Sequence, residues 1–268
     1  MRSDSPLRLV IVGWGAIGQA VGQMLADSPI EIVGIAVRDA AVVRPGVPAT
    51  AALISDPAEL AALNAAVVAE AAGRESVGPW GSAALASGAD LIVSSVSAFA
   101  DADLLDSLQD TAVAHGTSIQ IQPGALGGID ALAAARLMGI DEVEHRMVKP
   151  PTAWRDTPAE KLCDLDSLDT PTAFFSASAR ATAAAFPKNA NVAMTTALAG
   201  IGPDETQITL VADPGSTTNR HEIRAHGAFG TLDVSIANRP LPTNPKTSAM
   251  AALNLVRSIE NRRSPIVI

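Results

Sequence analysis

Cysteine is all but missing from this chain. Cys163 is the only one among 268 residues, so no intrachain disulfide can close. Neither a disulfide-stapled secreted scaffold nor a cysteine-rich metal site is available. A lone thiol of this kind is most simply an inert one. Also missing is any run approaching the roughly 20 apolar residues that cross a bilayer. The apolar run at residues 7–12 is too short for a signal segment and ends in a glycine motif. Positive charge is scarce: 19 Lys and Arg stand against 28 Asp and Glu, a formal charge of -9. Nucleic-acid binding needs clustered cations, so no nucleic-acid partner is expected. No metal is expected either, because no His/Asp cluster has ligand spacing. These absences point to a cytoplasmic protein without a membrane partner. Core-forming residues, by contrast, are plentiful. Hydrophobic residues make up 48% of the chain, enough for one large domain or two modest ones.

The first half alternates strand-like and helix-like segments. Apolar runs at 7–12, 30–37, 66–69, 91–96 and 118–121 read as buried strands. Between them, Ile17, Ala20, Val21, Met24 and Leu25 fall at helical spacing, 60–63 closes a short helical stretch, and Trp80, Ala84 and Leu85 mark another helix. Asp101 is placed to cap a helix carrying Leu104, Leu105, Leu108 and Val113. Strands alternating with helices predict right-handed crossovers and a parallel, doubly wound sheet. After Pro123 the rhythm changes. A glycine-rich turn at 124–128 leads into a helix through Met138, and residues 142–148 alternate polar with apolar. Residues 173–185 are alanine-rich and read as helix, as do 191–198. Three strand-like segments at 207–211, 220–225 and 231–236 suggest an antiparallel sheet, and an amphipathic helix spans 247–259. The expected fold class is therefore α/β, with a doubly wound domain at 1–123, an α+β domain at 124–245, and a C-terminal helix at 246–268 packing back on the first domain.

Gly13-Trp14-Gly15-Ala16-Ile17-Gly18 follows a strand and opens a helix, the context a dinucleotide fingerprint requires. Gly13 permits the tight turn, Gly15 lets the backbone approach a pyrophosphate, and Gly18 lets the helix pack close to the strand. The helix N-terminus offers free amides and partial positive charge to phosphates. The second strand ends in Val37-Arg38-Asp39. Asp39 suits the ribose hydroxyls of NAD, whereas Arg38 suits the 2′-phosphate of NADP. The two pull in opposite directions, so either cofactor is expected to serve.

In the second half, Phe186-Pro187-Lys188-Asn189-Ala190-Asn191-Val192 joins two helices, and Asn244-Pro245-Lys246-Thr247-Ser248 opens the last one. Thr247 and Ser248 are natural caps. On the strand Asn219-Arg220-His221-Glu222-Ile223, alternation puts Asn219, His221, Ile223 and Ala225 on one face. Arg220, Glu222, Arg224 and His226 take the other, wet face. His221 therefore points into an apolar interior or a pocket, and the residues alone leave both a core histidine and an active one open. His115, His145 and His226 stand in surface-like contexts and read as structural.

Taken in order with Gly13 to Gly18, Glu70-Ala71-Ala72, the 124–130 turn and Lys149-Pro150-Pro151, these motifs resemble those of the L-aspartate dehydrogenases along nearly the whole chain. The resemblance implies a Rossmann domain followed by a catalytic domain of the dihydrodipicolinate reductase and homoserine dehydrogenase type. It implies oxidation of L-aspartate to iminoaspartate with NAD or NADP in a homodimer. That product feeds NAD biosynthesis or hydrolyses to oxaloacetate and ammonia. It assigns the active-site histidine to His221 and nicotinamide contacts to Ala125 and Asn191. Cofactor contacts then comprise Gly13, Gly15, Ala16, Ile17, Gly18, Arg38, Asp39, Ala125 and Asn191. Two stretches depart from the family pattern. Gln122-Pro123-Gly124-Ala125 stands where Pro-Ser-Gly-Ala is common, and Ser95-Val96-Ser97-Ala98 where Ser-Val-Gly-Ala is common.

Hydride can leave the α-carbon only after the ammonium loses a proton, and a histidine suits that base role near neutrality. The substrate's two carboxylates need cations or amides; Lys149, Lys188 and Lys246, with Asn189 and Asn219, are the residues available. Two other readings compete. One is another imine reductase on the same scaffold, although the basic patch expected there is missing from residues 220–226. The other is a nucleotide sensor that binds NAD(H) without turnover.

Overall fold

Residues 9–12 are an unbroken apolar run, and they form the heart of β1 (Leu7–Val12), buried as a central parallel strand must be. The computed structural model describes residues 5–267, with the side chains of Pro245 and Lys246 outside that description. Beside β1 lie β2 (Ile30–Ala36), β3 (Ala52–Ile54), β4 (Val67–Glu70), β5 (Asp90–Val93) and β6 (Ile119–Ile121). They form one parallel sheet in the order β3-β2-β1-β4-β5-β6. The order reverses between β1 and β4, and ligands bind outside the carboxyl ends of the strands at such a switch point. Helices α1 (Ala16–Met24), α2 (Arg74–Ala86) and α3 (Ala102–His115) supply crossovers. As expected, Asp101 caps α3, its carboxylate accepting from the Leu104 amide at 3.3 Å. The sheet has one strand more than the sequence suggested. β3 is three residues long, too short to show periodicity. Residues 57–63 form a 3-10 turn closed by a capping box between Asp56 and Glu59.

The second sheet holds β7 (Ile140–Lys149), β8 (Thr172–Ser178), β9 (Gln207–Ala212), β10 (Asn219–Gly227) and β11 (Gly230–Asn238), ordered β11-β10-β7-β9-β8. It is mixed rather than antiparallel, because β7 and β9 run parallel. A parallel neighbour needs a long crossover, and β8, α5 (Ala179–Ala185) and α6 (Ala190–Ala199) provide it. The alanine-rich stretch expected as one helix is split. Its first half is β8, where Phe174 and Phe175 pack against Trp154 and Phe186 and the backbone pairs with β9. Tertiary packing there overrides helix propensity. A short helix, α4 (Ile129–Ala135), ends three residues before Met138.

The segment expected to open the last helix is extended instead. It forms β13 (Asn244–Ser248), which pairs with β12 (Pro240–Leu241). α7 (Ala249–Glu260) follows, and Ser248 Oγ accepts from the Met250 amide at 3.2 Å. The chain divides into two units. The first runs to Gly124 and takes in Pro242–Thr247 and the chain from Ala251; the second holds Ala125–Leu241 and Ser248–Met250. Within the first, Arg262 from the end of the chain bonds Asp90 at 2.7 Å and Gln120 at 3.1 Å, and Asn254 donates to the Gly124 carbonyl at 2.8 Å.

Candidate active site

In the first unit, β1 turns into α1 through the glycine motif. Gly13 has φ 99°, and a Cβ there would lie 2.7 Å from Ala72 Cα. A Cβ on Gly18 would meet the Gly13 carbonyl oxygen at 2.1 Å, so the helix seats against the turn only with glycine there. Gly15 differs. Nothing lies within 4 Å of its Cβ position, so its backbone borders open space. The first turn of α1, with Ala16 and Ile17, has no side-chain cap and no acidic residue. Its amides and partial positive charge are therefore available to an anion.

A cleft of about 790 Å³ opens here, lined among others by Gly13, Gly15, Arg38, Arg44, Ala72 and Ser76. Arg38 and Arg44 both border it. The Asp39 carboxylate instead accepts from the Ala41 amide at 2.9 Å, and the Asp39 carbonyl accepts from Arg44 at 2.7 Å. Arg44 was not singled out from the sequence; its signal is a second arginine six residues beyond the first.

Glu70, fully buried at the end of β4, organises the cleft floor. Its carboxylate accepts from the amides of Ala72 and Gly73 at 2.8 Å, and from the amide and hydroxyl of Ser95 at 2.9 Å. The Ser76 hydroxyl donates to it as well, at 3.0 Å. These five donors satisfy the charge without a cation, and they tie the loop after β4 to α2 and to the loop after β5. In the sequence Glu70 stands out only as part of the Glu70-Ala71-Ala72 motif.

In the second unit, β10 alternates as expected. His221, Ile223 and Ala225 are buried, while Arg224 and His226 are exposed. His221 is 5% exposed. The reading of His145 as surface-like is corrected: it is 0% exposed, on β7 next to β10. Its strand alternates Val143, His145 and Met147 inward against Glu142, Glu144 and Arg146, a pattern visible in the sequence. His145 Nε2 lies 3.0 Å from His221 Nδ1, and His145 Nδ1 lies 2.9 Å from the Thr196 hydroxyl on α6. His226 and His115 do lie outside, His226 against Glu142 at 2.8 Å.

β7 ends at Lys149, where Pro150-Pro151 stops the strand and a 3-10 turn, Pro151–Trp154, folds Trp154 back into the core. The indole donates to the Val211 carbonyl at 3.0 Å, and the Lys149 ammonium lies 4.6 Å from its ring centroid. The same ammonium donates to the buried Asn189 Oδ1 at 2.5 Å. Burial, and then the neighbouring Lys188 charge, hold Lys149 down to about 8. Burial first and the Lys149 charge second hold His221 down to about 3. Burial and His221 keep His145 well below the ordinary histidine range. Both imidazoles are thus neutral near pH 7, and His221 feels the Lys149 cation. Lys188 is exposed and reaches the Asp156 carbonyl at 3.4 Å. Asn219, half-buried, lies two residues from His221 on the same strand face. Lys246 lies on β13 with its side chain outside the described part. Among the described residues, no three His, Cys, Asp or Glu converge as a metal donor set. None of the described helices is long and apolar enough to cross a membrane.

Residues 13–122 match the NAD-binding domain of homoserine dehydrogenase, and residues 130–262 match the C-terminal region of aspartate dehydrogenase. An L-aspartate dehydrogenase of Brucella anthropi is 55% identical over 262 residues, covering 97% of this chain and 98% of its own. This chain belongs to the aspartate dehydrogenase family. One from Pseudomonas aeruginosa is 40% identical, covering 98% of this chain and all of its own. The crystal structure of aspartate dehydrogenase from Thermotoga maritima shares the fold, with a TM-score of 0.77 at 23% identity over 98% of this chain and 99% of that one.

The positions that the family pattern singles out are supported locally. The Ala125 carbonyl accepts from Asn238 Nδ2 at 2.9 Å, and Asn238 Oδ1 accepts from the Ser248 hydroxyl at 2.9 Å. Asn191 stands exposed on the first turn of α6. At the departure from the family's Pro-Ser-Gly-Ala, the buried Gln122 Oε1 accepts from the Gly124 amide at 2.7 Å, closing the turn from its own side chain. Ser97, at the other departure, is buried in a 3-10 turn, Val96–Ala100.

Proposed function

We propose that this chain oxidises L-aspartate to iminoaspartate with NAD or NADP. The imine then feeds NAD biosynthesis or hydrolyses to oxaloacetate and ammonia. The observation that carries the site is the buried, neutral His221 beside the Lys149 cation, in a region that matches the aspartate dehydrogenase family model. The residues present fit a dinucleotide, because the open Gly15 position and the uncapped α1 leave room for a pyrophosphate against free amides. Gly13, Gly15, Ala16, Ile17 and Gly18 would hold that pyrophosphate. Arg38 and Arg44 would meet the adenosine end, and Ala125 and Asn191 the nicotinamide end. When bound, the nicotinamide supplies the hydride acceptor.

The chain's own residues then have three tasks. Lys149, held by Asn189, offers an ammonium to a substrate carboxylate; Lys188, Asn219 and Lys246 are further donors. His221 takes a proton from the substrate ammonium, so that the nitrogen lone pair can drive hydride departure. Burial is the first cause of His221's weakness as a base and the Lys149 charge the second; an arriving carboxylate offsets only the second. The setting we propose is a homodimer in the cytoplasm, supported by family resemblance and by the near absence of cysteine.

The test follows reduced-nicotinamide absorbance with NAD and NADP separately, against L-aspartate, D-aspartate, L-glutamate, L-alanine and L-homoserine. Reduction confined to L-aspartate is expected. His221→Ala is expected to lower kcat about 10²- to 10⁴-fold, the range of a lost general base, with cofactor binding nearly unchanged. Undiminished turnover in that variant removes His221 from the reaction, and binding of NAD(H) without any turnover favours a nucleotide sensor.

A further inference from the structure

We propose that His145 and Thr196 form a tautomer lock that keeps the proton of His221 on Nδ1 and its Nε2 free as the base. The proposal rests on His221 being the base; its geometry stands separately. Thr196 Oγ1 lies 3.1 Å from the Val192 carbonyl oxygen, one helical turn back on α6, and 2.9 Å from His145 Nδ1. A hydroxyl has one proton, and a carbonyl oxygen only accepts. We place the Thr196 proton on Val192, the one partner of the two that can only accept; were Thr196 to donate to His145 Nδ1 instead, its oxygen would face the Val192 carbonyl oxygen with no proton between them. His145 Nδ1 must then be the donor to Thr196. A neutral imidazole with its proton on Nδ1 has an acceptor at Nε2. That acceptor faces His221 Nδ1 at 3.0 Å, so His221 donates from Nδ1 and carries an unprotonated Nε2. With the Thr196 proton on Val192, each later link follows from the one before it.

Burial makes this polarity hard to escape. His145 is 0% and His221 5% exposed, and an unpaired N–H there would cost about 1–3 kcal/mol. Both rings are held neutral by their surroundings, so neither acts as a double donor. The chain also ends on a carbonyl, which cannot pass a proton on. It is an orienting device, not a proton wire. The proton taken from the substrate ammonium enters and leaves at His221 Nε2: one N–H bond breaks on the amine as one forms on the ring. His145 and Thr196 act only through His221 and are positioning residues.

The experiment is long-range ¹H–¹⁵N NMR of the full chain at neutral pH, alongside steady-state kinetics. Four histidines are present, and single substitutions assign them; exposed His115 and His226 serve as references. His221 is expected as the Nδ1–H tautomer. Thr196→Val is nearly isosteric and removes the acceptor for His145. His145 should then flip, donate from Nε2 and drive His221 to the Nε2–H form. Its kcat is expected to fall about 10- to 100-fold, within the span of general-base effects, with KM for aspartate changed less than about twofold. Thr196→Ser restores both tautomer and rate. His145→Gln, whose amide oxygen still accepts from His221, should keep more activity than His145→Leu. An Nε2–H tautomer in the unsubstituted protein overturns the lock, as does Thr196→Val with tautomer and kcat unchanged. Loss of the base reading would appear differently, as an active His221→Ala variant whose parent still shows the Nδ1–H tautomer.

Discussion

Lys149 is a half-buried cation with an amide oxygen on one side and an indole face on another. Its depressed pKa of about 8, caused by burial and then by Lys188, gives it a titration near working pH. Below about pH 8 the ammonium is present and can hold a carboxylate; above it that attraction is lost. KM for L-aspartate is therefore expected to rise as pH climbs past 8. Lys188→Gln removes a like charge, so the Lys149 pKa rises and the increase in KM moves to higher pH. A pH profile of KM for both proteins checks this; a shift to lower pH would sink the role of Lys188. At this scale the sequence was partly legible. Strand alternation placed His221 correctly, and the same rule applied to Glu142 through Met147 would have placed His145. What alternation could not reveal is that the two rings meet, because residues 76 apart are joined only by strand pairing.

At the scale of elements, we propose that the loop after β2 sets which nucleotide suits the cleft. Asp39 spends its carboxylate on the local Ala41 amide, while Arg38 and Arg44 line the space. Arg44→Ala is expected to raise KM for NADP about tenfold, near the low end of a charge-assisted hydrogen bond, and KM for NAD less than about twofold. Initial rates with each cofactor test this, and equal changes would rule out a 2′-phosphate contact. Glu70 shows the same principle in a buried place, with one carboxylate fastening two loops and the start of α2 through five donors. Helix propensity misled at residues 173–178, where aromatic packing and a free strand edge outweighed alanine content.

At the scale of the whole molecule, the chain leaves its first unit at Gly124 and returns to it after the second sheet is complete. α7 buries Ala252, Leu255 and Ile259, so the first unit draws on residues that follow the second sheet in the chain. The proposed homodimer is tested by light scattering, with a mass of two chains expected over micromolar concentrations. A single-chain mass throughout would refute it, and would leave the assay in monomeric protein unaffected as a test of activity.

The amino-acid sequence by itself determined the parallel sheet, the glycine turn and the inward face of β10. Each depends on local periodicity or on backbone conformations that only certain residues adopt. Tertiary structure alone decided that β7 and β9 run parallel, that Asp39 is engaged away from the cleft, and that Thr196, His145 and His221 form one hydrogen-bonded series. Those outcomes depend on which distant segments pair, and on where a single hydroxyl proton can go once they have.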